Sequence, residues 1–265
     1  MPDTRIVIFG ARGHIGYELY KIFSKSNTVL APTRVDLDLR IFDDIGTYLR
    51  IAKPDLIINA ASFSDIDLAE NKILEVKKLN SDLPEYLSLQ ALNKKIGIVH
   101  FSSDQIFDGR GQKRPYHEED MPNPLNVYGR SMLRGESMIK NIFDNYLIFR
   151  TSRVYGLRRP CFISKLLSIL HEHKDINVSS DQFGSPTWAR SLAKMAYDAI
   201  LNSDIINNSN SKKCGTYHLS DVGEVSWFDF ANAIIEIVNR KKINYLIEKP
   251  IIRAIDSDLL ITPSR

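Results

Sequence analysis

The sequence predicts an α/β fold: a Rossmann-like, doubly wound parallel sheet followed by a smaller C-terminal lobe. Three observations predict it. Short apolar runs alternate with longer amphipathic ones through the first half of the chain, the pattern of strands joined by crossover helices. The short runs are rich in β-branched residues and lack polar alternation, as strands buried on both faces do. Glycines at 10, 13 and 16 separate the first apolar run from the first amphipathic one.

In order, RIVIF (5–9) reads as a buried strand and HIGYELYKIFSK (14–25) as a helix with Ile15, Leu19, Ile22 and Phe23 on one face. NTVLAP (27–32) is a second strand, DDIGTYLRIAK (43–53) a helix and DLIINAAS (55–62) a third strand. A long helical stretch covers 73–95 and leads into the strand GIVHFSSD (97–104). YGRSMLRGESMIKN (128–141) is a helix and YLIFRTSRVYG (146–156) a strand. Beyond about residue 155 the segments shorten and prolines scatter, as in RRPCF and GSPTW. Two further helices are expected there, at 189–202 and at 226–240, the latter with Ser226 as N-cap. The chain therefore divides into a dinucleotide-binding domain, 1–155, and a substrate lobe, 156–265. Ligands of open α/β sheets bind beyond the carboxyl ends of the strands, so the lobe forms the far wall of that crevice.

Composition excludes several classes. With 265 residues, 43% hydrophobic and 25% charged, the chain is ordinary globular protein. Its net charge of +3 is dispersed, without the basic stripe of a nucleic-acid binder. Cys161 and Cys214 sit in no CxxC or Cys/His cluster, which argues against a zinc site or disulfide framework. No apolar stretch approaches membrane-spanning length and RIVIFG is too short for a signal core; the expectation is a cytoplasmic protein without membrane or nucleic-acid partners. Leu201–Lys213 reads as a polar surface loop, and His171–His173 as a solvated helix face rather than a metal pair.

The glycine turn is the first functional signal. G-x-x-G-x-x-G at a strand–helix junction lets backbone approach a pyrophosphate, which the helix N-terminus then holds. Sites for NAD place an acid about 20 residues on; here that region carries Arg34, and Arg12 lies inside the turn. Two guanidiniums suit a 2′-phosphate and favour NADPH, with NADH as the other candidate. Asp36 or Asp38 could still reach the adenine side. INAAS (58–62) ends its strand in small residues, as backbone beside a cofactor requires. The second signal is Ser103 at a strand end with Tyr128 at a helix start, a hydroxyl pair able to polarise a carbonyl and supply its proton.

These stretches, with PDLIINAASFSDIDLAE, FSSDQIFDG, PLNVYGRSMLRGE, LIFRTSRVYG, DQFGSPTWA and GTYHLSDVGEVSWFDFA in that order along nearly the whole chain, resemble the extended short-chain dehydrogenase/reductases and, within them, the dTDP-4-dehydrorhamnose reductase family. The resemblance implies hydride transfer from NAD(P)H to C4 of a dTDP-4-keto-6-deoxyhexose. It implies Tyr128 as general acid, Ser103 as its partner at the carbonyl and Asp104 at the sugar. Gly10, Gly13, His14, Ile15, Asp38, Ala60, Ala61 and Ser62 fall on the cofactor. The loop Gly109–Asp120 would flank the substrate.

Several positions depart from the family pattern. The lysine of Y-x-x-x-K is Met132. Lysine there would share the tyrosine's face, hold the nicotinamide ribose and lower the tyrosine pKa; Arg130 and Arg134 lie on other faces. Gln105 and Arg153 stand at substrate-side positions where the family often has tyrosine and tryptophan. The sequence ends at ITPSR, where the family runs on into an RP-x-x-S-x-L segment and a closing helix, so a shortened lobe is expected and no metal is carried over. A homodimer is kept open as the assembly. Two alternatives share the nucleotide site: a non-catalytic regulatory binding protein and a sugar-nucleotide epimerase. Turnover separates them.

Overall fold

The computed structural model describes residues 4–110, 114–172, 175–206, 211–241 and 251–260. Residues 111–113 of the charged loop, His173, residues 207–210 and the terminal Ile261–Arg265 lie outside them.

Strand β1 (Arg5–Phe9) leads through the glycine turn to helix α1 (His14–Phe23) and β2 (Thr28–Leu30). Helix α2 (Phe42–Ala52), β3 (Leu56–Asn59), α3 (Ile66–Ala69) and α4 (Ile73–Lys77) follow. The expected long helix at 73–95 is α4 and α5 (Leu83–Lys94), joined by a π turn over Lys78–Asp82. Next come β4 (Gly97–Ser103), α6 (Val127–Ile142) and β5 (Tyr146–Thr151). The second strand is shorter than expected, since Pro32 lies within the run. The run 146–156 is split: Arg153 has φ +44°, which ends β5 and starts β6 (Val154–Tyr155) in a new direction.

The remaining elements divide between two layers. Helix α7 (Phe162–Glu172), β7 (Asp175–Ser179), β8 (Phe183–Gly184) and β9 (Thr187–Trp188) precede α8 (Ala189–Asn202) and β10 (Gly215–His218). The chain then forms β11 (Val225–Ser226), α9 (Trp227–Arg240) and β12 (Ile251–Ile255). Ser226 caps α9 as expected, accepting from the Asp229 amide. Strand β10 pairs parallel with β5, and the face of α8 packs on the sheet with α1. Strands β7 and β12 pair parallel beside α7 and α9 and make the lobe.

The main sheet is six-stranded and parallel, in the order β2-β1-β3-β4-β5-β10. Side-chain alternation gives it two cores. Ile6, Ile8, Leu56, Ile58, Val99, Leu147 and Phe149 face α1 and α8. Val7, Phe9, Ile57, Ile98 and Ile148 face α2, α5 and α6. Both faces are covered, as the continuous apolar strands require. The strand order reverses between β1 and β3, and ligands of such sheets bind beyond the carboxyl ends of the strands at this point. Among the described residues no helix is long and apolar enough to cross a membrane.

Candidate active site

At the switch point Gly10 takes φ +83°, which side chains resist. A Cβ there would also sit 2.6 Å from the carbonyl carbon of Ala60 and the amide nitrogen of Ala61. The β1–α1 turn thus rests directly on the end of β3, and Ala60, Ala61 and Ser62 follow β3 beside it. Asn59 fixes this corner: its Oδ1 accepts from the Ala61 amide at 3.2 Å and its Nδ2 lies 3.2 Å from His100 Nδ1. Burial pushes the His100 pKa down to about 4, so this ring is a neutral partner at physiological pH. The next residue is held by Asn80 of the π turn, whose Oδ1 accepts from the Phe63 amide at 2.7 Å and whose Nδ2 donates to the Phe63 carbonyl at 3.0 Å.

Helix α1 starts at Gly13 with no side-chain cap. The first N–H groups of the helix, on His14, Ile15 and Gly16, have no partner within it. Both ring nitrogens of His14 are shielded from solvent and lack a hydrogen bond. Burial, and then the charge of Arg159, lower the His14 pKa. The segment after β6 crosses this start: Gly156 lies against His14 Nδ1 and the Arg158 guanidinium sits 4.1 Å above the Tyr17 ring. A turn with no room for a Cβ, an uncapped helix and orphaned ring nitrogens fit a dinucleotide pyrophosphate.

Arg12 and Arg34 are exposed near Asp36 and Asp38, whose pKa values their charges help to lower. Asp36 is held chiefly by the Thr33 backbone amide and hydroxyl. Asp38 is bound by Arg40, whose Nε and Nη2 reach its carboxylate at 2.9 and 2.6 Å. This pairing is the main cause of its pKa falling to about 2. Asp38 is therefore already engaged by protein, while Arg12 and Arg34 are exposed.

The chemical end lies where β4 meets α6. Asn126 caps α6, accepting from the Gly129 amide at 2.7 Å, and places Tyr128 in its first turn. Tyr128 is 8% exposed. Ser103, at the end of β4, is its hydrogen-bond partner. The Ser103 hydroxyl also donates to Asp104 Oδ1 at 3.1 Å, and Ser152 donates to Asp104 Oδ2 at 2.5 Å. Burial raises the Tyr128 pKa to about 12; the Asp104 charge adds to the rise and Ser103 opposes it. Burial also raises Asp104, against the pull of Ser152, Ser103 and Arg153.

Met132 is 2% exposed and packs with Tyr128, Ile106, Ala69 and Val76, so this face of α6 is apolar next to the phenol. Arg130 turns away to the Leu125 carbonyl at 3.0 Å. Gln105 faces the helix cap, its Oε1 accepting from Asn126 at 3.1 Å. Arg153 faces the lobe, donating to the carbonyls of Val225 and Gln182. The structure thus brings together Ser103, Asp104 and Tyr128 with Met132 beneath them. It gathers Gly10, Gly13, His14, Ile15, Gly16, Ala60, Ala61 and Ser62 at the switch point, with Arg12, Arg34 and Asp38 on its outer side. Sequence reasoning missed Asn59, Asn80 and Ser152. A lone polar residue closing an apolar strand, as in LIIN, is the signal that could have found Asn59.

This geometry has counterparts among known proteins. The family model described as "RmlD substrate binding domain" matches residues 4–264. The chain belongs to this family. A dTDP-4-dehydrorhamnose reductase of Burkholderia thailandensis is 33% identical over 233 residues, covering 87% of this chain and 77% of the relative. The crystal structure of a dTDP-4-dehydrorhamnose reductase from Clostridium acetobutylicum superposes with a TM-score of 0.86 at 29% identity, over 98% of this chain and 86% of that one. The enzyme of the same name from Bacillus anthracis, solved in complex with NADP, gives a TM-score of 0.84 at 26% identity, over 96% of this chain and 86% of that one. Membership in the family agrees with the resemblance seen in the sequence, and the parallel sheet agrees with the fold it implied.

Proposed function

We propose that the chain is an NADPH-dependent sugar-nucleotide reductase that converts the C4 ketone of dTDP-4-dehydro-L-rhamnose to the alcohol of dTDP-L-rhamnose. The observation that carries this reading is the meeting of Ser103, Asp104 and Tyr128 at the β4–α6 corner of the crevice, on a chain that belongs to the reductases' family. NADPH, when bound, supplies the hydride. The glycine turn and the amides of His14 and Ile15 hold its pyrophosphate, and Ala60–Ser62 line its path toward Tyr128. Ser103 turns its one hydroxyl proton from Asp104 to the ketone oxygen when substrate binds, and Tyr128 gives that oxygen its proton. Asp104, still held by the Ser152 hydroxyl, meets the sugar. Retention of all three favours turnover over the non-catalytic alternative.

Arg12 and Arg34 hold the 2′-phosphate. Replacing both with alanine weakens NADPH by roughly 10-fold per arginine, one charge-assisted hydrogen bond each, and leaves NADH nearly unchanged. Fluorescence titration with both cofactors checks it; an equal response of the two would assign these arginines to solvent.

The test of the whole reading is NADPH consumption with dTDP-4-dehydro-L-rhamnose by this chain and by Met132→Lys. The parent turns over. The variant is faster by roughly tenfold, because an ammonium on the Tyr128 face stabilises the tyrosinate as it forms. Silence in both, with NADPH still bound, would overturn the assigned substrate.

A further inference from the structure

Ser152 and Arg153 are neighbours in sequence that serve opposite sides of one break in the chain. Ser152 donates to Asp104 Oδ2 at 2.5 Å, at the chemical corner. Arg153 takes φ +44°, a conformation that is costly for a residue with a side chain and persists where its surroundings demand it. Both ends of the residue show that demand. Its carbonyl accepts from the Thr187 amide at 3.2 Å, where β6 begins to pair with β9. Its side chain leaves the β5 line for the lobe.

There the guanidinium bridges two strands. It donates through Nη1 to the Val225 carbonyl at 2.8 Å and through Nη2 to the Gln182 carbonyl at 2.7 Å. Its carbon lies 4.0 Å from the centre of the Trp227 ring. Val225 begins β11 and Gln182 precedes β8; the two strands pair antiparallel, Val225 opposite Gly184 and Ser226 opposite Phe183. Gly184 leaves room for the arginine, since a Cβ there would fall 2.6 Å from Nε. A two-stranded ribbon this short is marginal by itself. Arg153 fastens both of its strands to the end of β5.

We infer that Arg153 is the pin that seats the β8–β11 ribbon of the lobe beside Asp104, which makes it a positioning residue for the sugar nucleotide. The identity of that ligand rests on the reductase reading above. The path is short: Asp104 to Ser152 by a hydrogen bond, Ser152 to Arg153 by the chain, Arg153 to both strands of the ribbon. With the ribbon seated, Arg153 is held in its turn and Ser152 is held on the acid that meets the sugar. With the ribbon loose, the Arg153 backbone relaxes to negative φ and the Ser152 hydroxyl leaves Asp104. Arg153 touches none of the reacting atoms. A planar fork can meet two carbonyls and a ring face at once, and an ammonium cannot.

The fraction of molecules with the ribbon seated sets the apparent affinity for the sugar nucleotide. Losing the two hydrogen bonds of the fork lowers that fraction roughly 10- to 100-fold. Arg153→Met keeps a contact with Trp227 without the fork. It therefore raises KM for dTDP-4-dehydro-L-rhamnose roughly 10- to 100-fold, while kcat and the NADPH Kd stay within about threefold, because the complex that forms is the seated one. Arg153→Lys, with the charge but no fork, follows Arg153→Met. Gly184→Ala evicts the guanidinium from the other side and raises KM as well. The double variant Arg153→Met, Gly184→Ala is no worse than Arg153→Met, the sign of one shared contact. Without any substrate, the backbone amides of 182–188 and 222–228 exchange hydrogen about tenfold faster or more in each variant, and those of the main sheet do not change.

Unchanged exchange of the ribbon in Arg153→Met would overturn the inference. So would a kcat loss at constant KM, which would return Arg153 to the chemical step, or a parental KM in Arg153→Lys, which would make charge the operative property. Losses that add in the double variant would do the same, by separating Gly184 from Arg153. A parent that binds NADPH but ignores the sugar would sink the reductase reading alone, and ribbon exchange would then decide the pin.

Discussion

Tyr128→Phe lowers the rate of reduction by roughly 10²- to 10⁴-fold, the usual worth of a positioned general acid, and leaves the NADPH Kd within about twofold. The substitution keeps the ring that packs on Met132 and Ile106, so the fold and the cofactor crevice are untouched. What disappears is the proton. The pH dependence of the parent follows from the same burial, which raises the Tyr128 pKa to about 12. Reduction uses the protonated phenol, the form present throughout the accessible range. Its kcat therefore does not decline through a tyrosine ionisation between about pH 7 and 10. The reverse oxidation needs the phenolate, and its rate climbs about tenfold per pH unit over the same range. Initial rates in both directions check this. A forward rate falling with a midpoint near about pH 8 would mean that a cation reaches Tyr128 more closely than the structure allows.

The parts of the site that could be read in the sequence are those written in short local spacings. Gly10, Gly13 and Gly16 define one turn; Asn126, Tyr128 and Met132 define one helix start and one helix face. Such features are decided by neighbours along the chain, and the structure places them accordingly. What escaped reading depends on distant pairing. Strand β10 joins the main sheet by pairing with β5, and β7 pairs with β12; each is short and its partner lies far along the chain. The orientation of Gln105 and Arg153 was also illegible. Both are polar residues at substrate-side positions, and only the fold shows Gln105 turned to Asn126 and Arg153 turned to the lobe. The break at Arg153 had no warning, because an arginine with φ +44° carries none of the glycine or asparagine that marks such turns. Asn80 was hidden for a different reason. In a regular helix a buried asparagine is unfavourable, and it is the π turn that lets Asn80 face Ser131 and the Phe63 backbone at once.

The largest expected effect on stability lies behind the tyrosine, on the same helix. Tyr128, Met132 and Glu136 recur every fourth residue and so share one face of α6. Glu136 is wholly buried, as is nearly all of the Arg150 side chain that pairs with it at 2.8 Å. Ser102 donates to Glu136 Oε1 at 2.5 Å, and Arg150 reaches on to the Glu118 carbonyl at 3.1 Å and to His218. One carboxylate thus ties the catalytic helix to β4, β5 and β10 and to the loop that flanks the site. Glu136→Ala leaves the Arg150 guanidinium buried and unpaired, and costs about 3–5 kcal/mol, read as a fall in the denaturation midpoint with unchanged slope. Glu136→Gln, which keeps a hydrogen-bond acceptor, costs less. The pH sign follows from the Glu136 pKa. Burial opposes its ionisation, but Arg150, Ser102 and Lys140 outweigh burial and hold the pKa below 4.5. Its contribution is therefore complete above the unfolded-state pKa and lost as pH falls through the folded one. His100 and His218 act in the same sense, since burial lowers both and the unfolded chain takes up their protons first. The parent therefore loses stability on acidification in two stages, from about pH 6.5 through the histidines and below about pH 4.5 through Glu136. Glu136→Gln weakens the second stage, to which Asp38 and the other hydrogen-bonded carboxylates also contribute, and keeps the first. A variant with the parent's full acid sensitivity below about pH 4.5 would show that the tyrosine helix is anchored elsewhere.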